Sequence, residues 1–201
     1  MNMKKNLYLS FVIIGMMALN TSCQKDENWQ VLFNGENLDN WDMYLGSSLG
    51  EEFDSIAQNA TIDQVFSVVE EDGQKVIRIS GEINGSLATK EEFENYHARL
   101  VYKWGGTIYS RRNSGFLYHS FGEFGEAFGT WMPNVELQLL HQNLGDTYLM
   151  ANTACEITVE KIDETGQFVF NPEADMVAFG EHANGRLIRK NKDMEKTLGQ
   201  W

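Results

Sequence analysis

Hydrophobic and polar positions alternate in short runs through most of this chain. Val65–Val69 and Val76–Ser80 are two such runs. The segment Glu70-Glu71-Asp72-Gly73-Gln74 between them predicts a hairpin turning at Asp-Gly. Ser86–Thr89 reads as a short strand, and Lys90–Phe93 as one helical turn. Tyr96–Trp104 alternates with Ala98, Leu100, Tyr102 and Trp104 on one side. Gly115–Phe121, Asn134–Leu140, Asp146–Met150 and Cys155–Lys161 continue the pattern. No stretch keeps a helical period over three turns, and Met43–Gln64 reads as a long loop. Many short strands with glycine-rich turns predict an all-β fold, an antiparallel β-sandwich or jelly roll.

The first residues follow another logic. Lys4 and Lys5 precede an apolar run, Leu7–Leu19, that is too short to span a bilayer as a helix and fits a signal peptide. Small polar residues then lead to Cys23. The pattern predicts a lipoprotein signal over residues 1–22, lipidation at Cys23, and a tether over 23–28. Gln24-Lys25-Asp26-Glu27 resembles a surface-export tag, so an outer-membrane and surface-exposed location in a gram-negative envelope is the expectation. The domain then occupies 29–201.

Composition narrows the chemistry. The 201 residues carry a net charge of −13, and Lys/Arg do not cluster after residue 5, so nucleic acid is not an expected partner. Two cysteines exclude a disulfide framework. Twelve Phe, seven Tyr and five Trp suffice for a dense core or a sugar-stacking surface. No glycine-rich nucleotide fingerprint is present. No H-x-H or clustered His/Asp spacing assigns ligands to a divalent metal, which stays a possibility without ligands.

Leu32-Phe33-Asn34-Gly35-Glu36-Asn37-Leu38-Asp39-Asn40-Trp41 has the form L-F-N-G-x-x-L-x-x-W. Leu87-x-Thr89, Phe93-x-Asn95-Tyr96, and Arg99-Leu100-x-Tyr102-Lys103-Trp104-Gly105 follow. Then come Asn113-Ser114-Gly115-Phe116-Leu117-Tyr118-His119, Glu136-Leu137-Gln138-Leu139 and Gly145-Asp146. In this order, over Leu32–Trp201, they resemble the bacterial 3-keto-disaccharide hydrolase domain family. The resemblance implies a concanavalin-like sandwich that cleaves glycosides whose glucose unit is oxidised at C3. A separate sugar 3-oxidoreductase would supply the ketone. The family pattern continues past Gly199-Gln200-Trp201 through further strands, so the resemblance implies a domain truncated here, with open sheet edges and poor folding as the expectation.

A conventional glycosidase needs two carboxyl groups about the scissile bond. The Glu136–Leu140 strand offers one acid and one amide. A 3-ketone relaxes that requirement, because it acidifies the C2 hydrogen. One base then suffices, with a donor or cation for the enolate oxygen. His119 is the first candidate base, placed by alternation on the face of Gly115 and Leu117. Glu136 is the alternative base or the group orienting the histidine, since an acid between Val135 and Leu137 is costly to bury without a role. Lys103 is a candidate for the enolate oxygen or a partner of Glu136. Gln138, Arg111, Arg112, Asn113 and His141 are candidate substrate contacts, and Asp146 reads as a turn residue. Trp131, with Phe128 and Tyr118, is a candidate stacking aromatic, on a glycine-rich loop expected over the concave face. A non-catalytic carbohydrate-binding module and a conventional glycosidase are the competing readings.

Overall fold

The computed structural model describes residues 29–162, 167–180, 186–189 and 194–201. The signal, the Cys23 lipidation and the tether lie outside the described residues. Two antiparallel strands, β1 (Trp41–Leu45) and β4 (Gly85–Thr89), form one small sheet. A second consists of β2 (Phe66–Glu71) and β3 (Gln74–Ile79). Its turn is the predicted Asp72-Gly73, with φ of 51° and 75°, the left-handed pair that a tight hairpin demands. The loop after β1 carries two short helices, α1 (Asp54–Asn59) and α2 (Ile62–Val65). The Thr61 N–H donates to the Gln64 side chain at 3.1 Å and starts α2 as half of a capping box. Leu38, Val65, Phe66 and Ile83 form the buried core of this layer, flanked by Trp41, Met43, Leu87 and Ile77.

The larger sheet has seven strands. They are β5 (Gly115–Tyr118), β6 (Asn134–Gln138), β7 (Thr147–Met150), β8 (Ala154–Lys161), β9 (Phe168–Phe170), β10 (Met176–Gly180) and β11 (Arg186–Leu187). Their order is β10-β8-β9-β11-β7-β6-β5, antiparallel except for β9 beside β11. One face carries Leu149, Val159, Phe179 and Leu187, with Val135, Ile157 and Phe168 packed on them. The fold is all-β and of the sandwich type, as the alternation predicts.

Two expected elements do not form. Lys90–Phe93 makes no helical turn, and Tyr96–Trp104 joins no ladder among the described residues. Leu100 and Val101 are 49% and 57% exposed, so both sides of that alternation face outward. Alternation marks a segment able to pair; without a neighbouring strand its backbone has no ladder to join.

Candidate active site

Residues opposite one another in a ladder share a face. Leu117, Glu136, Tyr148 and Arg186 therefore form one row across β5, β6, β7 and β11. Gly115 and Gln138 are paired in the same ladder two residues on. Val135, Leu149 and Leu187, one residue away on each strand, belong to the opposite, apolar face. The seven-stranded sheet thus buries one side in its core and gives the other to polar side chains.

Glu136 is the central group. It is half-buried and makes no hydrogen bond or ion pair with any described residue. Burial alone raises its carboxyl from 4.5 to about 7. The space it occupies exists because position 115 is glycine: a Cβ there would collide with the Glu136 carboxyl, lying 2.7 Å from Cδ. A carboxyl poised near neutrality, unpaired and beside a glycine, has the properties of a general base.

Tyr148 stands directly across from it, with Cβ atoms ~5 Å apart for such a pair. Burial pushes its phenol up; Arg186 and Arg111 pull it back, and Asp146 and Glu136 push it further. The net result is a raised phenol that stays protonated and can donate. Arg186 lies over the Tyr148 ring, 5.4 Å from its centroid. It donates from Nε at 3.2 Å and Nη2 at 2.6 Å to Asp146. Asp146 is fully buried and also accepts from the Arg189 backbone at 3.1 Å and Nη1 at 2.8 Å. Burial raises its carboxyl, but these donors together hold it below the ordinary value. Asp146 is more than a turn residue: it anchors two arginines.

The other expected site residues go to several places. The strand ends at Tyr118, and His119 takes a left-handed φ of 52°, which breaks the alternation that placed it beside Leu117. Its exposed ring lies against Tyr96 at 5.8 Å and Tyr118 at 5.3 Å. With Asn95, Tyr96 and His97 it lines an open depression. Lys103 is drawn to the β2–β3 hairpin, 2.6 Å from Glu71 and 2.7 Å from Asp72, with its ammonium 4.8 Å from the Trp201 ring. Its partners are these acids and not Glu136. Gln138 is buried and its side-chain oxygen caps Leu140 N–H at 2.9 Å. Asn113 is exposed and its side chain makes no hydrogen bond among the described residues.

Arg111 and Arg112 part company. The Arg111 charge acts on Tyr148, whereas Arg112 donates to the Gly105 carbonyl at 3.4 Å. The glycine-rich loop packs on the small β1–β4 sheet. Trp131 Nε1 donates to Gly85 O at 3.2 Å, Phe124 stacks on Tyr44 at 5.3 Å, and Ser47 N–H donates to Thr130 at 3.2 Å. Phe128 is left 75% exposed at its tip. His141 Nδ1 lies 2.9 Å from Glu195, which also accepts from Gln142 N–H at 2.8 Å and Trp104 Nε1 at 2.9 Å. Burial raises the Glu195 carboxyl, but these three donors hold it below the ordinary value.

Tyr148, Arg186 and Glu195 are the neighbours that the sequence reading missed. Tyr148 carried a usable signal, an aromatic with a polar tip in the predicted Asp146–Met150 strand. Arg186 and Glu195 carried none: Arg186 meets the site through long-range strand register, and Glu195 reaches His141 across 54 residues. No group of three or more His, Cys, Asp or Glu suited to a metal ion occurs among the described residues.

Residues 28–201 match the family model of the 3-keto-alpha-glucoside-1,2-lyase-like domain. No curated protein and no solved structure matches the chain.

Proposed function

The chain belongs to the 3-keto-alpha-glucoside-1,2-lyase-like domain family, whose name points to glycoside cleavage and carbohydrate binding, and on that premise we propose that it cleaves 3-keto-glucosides with Glu136 as the base. The observation that carries this reading is the half-buried, unpaired Glu136 carboxyl, held at about 7 on the polar face of the sheet. The carboxylate removes the C2 proton, and the electron pair of that C–H bond passes into an enolate at the C3 oxygen. The Tyr148 phenol donates a hydrogen bond to that oxygen. The enolate then reforms the ketone as the C1–O bond breaks. The leaving oxygen takes a proton from solvent, and the sugar becomes a C1–C2 enone. Addition of water across that double bond gives net hydrolysis.

One carboxylate suffices for this sequence, which favours it over a conventional dyad. Asp146 also approaches this face, and two arginines hold it. The wider reading is an exported lipoprotein, anchored through Cys23, that receives its substrate from a separate sugar 3-oxidoreductase.

The test supplies a 3-keto-glucoside with a chromogenic leaving group beside the unoxidised glucoside, with and without chelator. Release from the keto substrate alone, slowed by deuterium at C2, is the expected result. Glu136→Gln lowers kcat by about 10²-fold or more, and Tyr148→Phe by about tenfold to a hundredfold with little change in KM. Release from the unoxidised glucoside, or full activity in Glu136→Gln, would overturn the proposal.

A further inference from the structure

Arg186 and Arg111 have no part in the proton transfer, yet Arg186 lies over Tyr148 and the charge of Arg111 acts on it. Asp146 fixes the Arg186 guanidinium through Nε and Nη2 and leaves Nη1 without a partner among the described residues. The Tyr148 ring supports its flat side, and 41% of the side chain stays exposed. Asp146 cannot neutralise it fully, because the same carboxylate also binds Arg189. Arg189 is the more enclosed of the two: it also donates to Asn143 and to the Gln142 carbonyl, and its side chain is 15% exposed. Arg111 is exposed, has no ion-pair partner among the described residues, and acts on the same Tyr148.

This matters because the protein is strongly acidic, at −13. Its lysines at 75, 90 and 103 all find carboxylates. Arg186 holds its charge in a fixed place on the polar face, one strand beyond Tyr148. A guanidinium fork held by a buried carboxylate, with one nitrogen free of described partners, suits a planar or tetrahedral oxyanion.

We propose that Arg186, helped by the Arg111 charge that acts on the same Tyr148, forms an anion-binding subsite for a carboxylate, sulfate or phosphate borne by the leaving sugar of the substrate. The proposal rests on the placing of the keto-sugar over Glu136. From there β11 is two ladder spacings away, ~10 Å across β7, a gap that one further sugar ring over Tyr148 would fill.

The experiment uses the full chain and unoxidised disaccharides, so that it needs no turnover. Calorimetry compares glucosyl-glucose with its counterparts carrying a C6 carboxylate, a 6-sulfate or a 6-phosphate on the second ring. At least one anionic ligand binds about tenfold tighter than the neutral one, and added salt erodes the gap. The three arms tell the anion types apart. Arg186→Gln and Arg111→Gln each bring the ratio of affinities toward one. Arg111 makes no described contact that the fold depends on, so its variant keeps the test valid where Arg186→Gln fails to fold. Equal binding of neutral and anionic ligands, binding of none, or a preference that survives Arg111→Gln overturns the subsite. Failure of the base reading shows separately, as lost cleavage of keto-glucosides with the affinity ratio intact.

Discussion

Glu136→Gln tests the electrostatics of the site without any substrate. The native carboxyl titrates at about 7, against 4.5 in the ordinary case. Between those values the folded chain holds a proton that the unfolded chain has released. Stability is therefore complete below pH 4.5 and is lost as pH rises through 7. At about 1.36 kcal/mol per pH unit, ionising the buried carboxyl costs the fold up to about 3 kcal/mol by pH 8.5. Partial solvent access reduces this to on the order of 2 kcal/mol. Glutamine has nearly the same shape and no charge to desolvate. Urea unfolding of wild type and variant from pH 4 to pH 9 should give coincident stabilities at the acid end. Toward pH 9 the variant should become more stable by on the order of 2 kcal/mol, which thermal melts at the same pH would show as about 5 °C in Tm for a chain of this size. Parallel curves across the range, or a gap that opens in acid, would refute the burial argument and with it the basis for Glu136 as base.

Three further outcomes follow from the same geometry. Gly115→Ala drives a methyl group into the Glu136 carboxyl; the carboxyl swings aside, and cleavage falls about 10²-fold while the melting temperature changes little. Asp146→Asn leaves two arginines around an uncharged amide and costs about 3 kcal/mol or more in urea unfolding. The rate of keto-glucoside cleavage rises with pH through about 7 and then levels, because only ionised Glu136 accepts the C2 proton; a rate already flat from pH 5 would remove it as the base.

The β2–β3 hairpin was legible because its information is local: two alternating runs and an Asp-Gly turn that can take positive φ. The order of the large sheet was not. β9 has three residues and β11 two, too few to show any period, and β9 pairs in parallel with a strand beyond its own neighbour. Chemistry followed the same division. Glu136 stood out as an acid between two apolar residues, and it has no partner among the described residues. The sequence offers Arg111 and Arg112 together as substrate contacts, and the structure separates them, the one acting on Tyr148 and the other held by the Gly105 carbonyl. Lys103 was harder, because its partners come from a hairpin some thirty residues earlier and from the Trp201 ring.

Why an acidic chain should keep a half-buried carboxyl without a cation follows from the row in which it sits. A lysine or arginine opposite Glu136 would satisfy it and pull its titration down, out of the range where it can take a proton near pH 7. The position across the ladder holds Tyr148 instead, a donor without charge. The arginine comes one strand later, on the far side of that ring, with Asp146 holding it there. The β5 position diagonal to Glu136 is glycine, which gives the carboxyl room but no partner. The cation is thus kept within reach of a ligand lying over Tyr148 and away from direct pairing with the base. Substituting Tyr148 by a cation would therefore stabilise the sheet and stop the reaction, whereas Tyr148→Phe would preserve the Glu136 titration and lose only the donor.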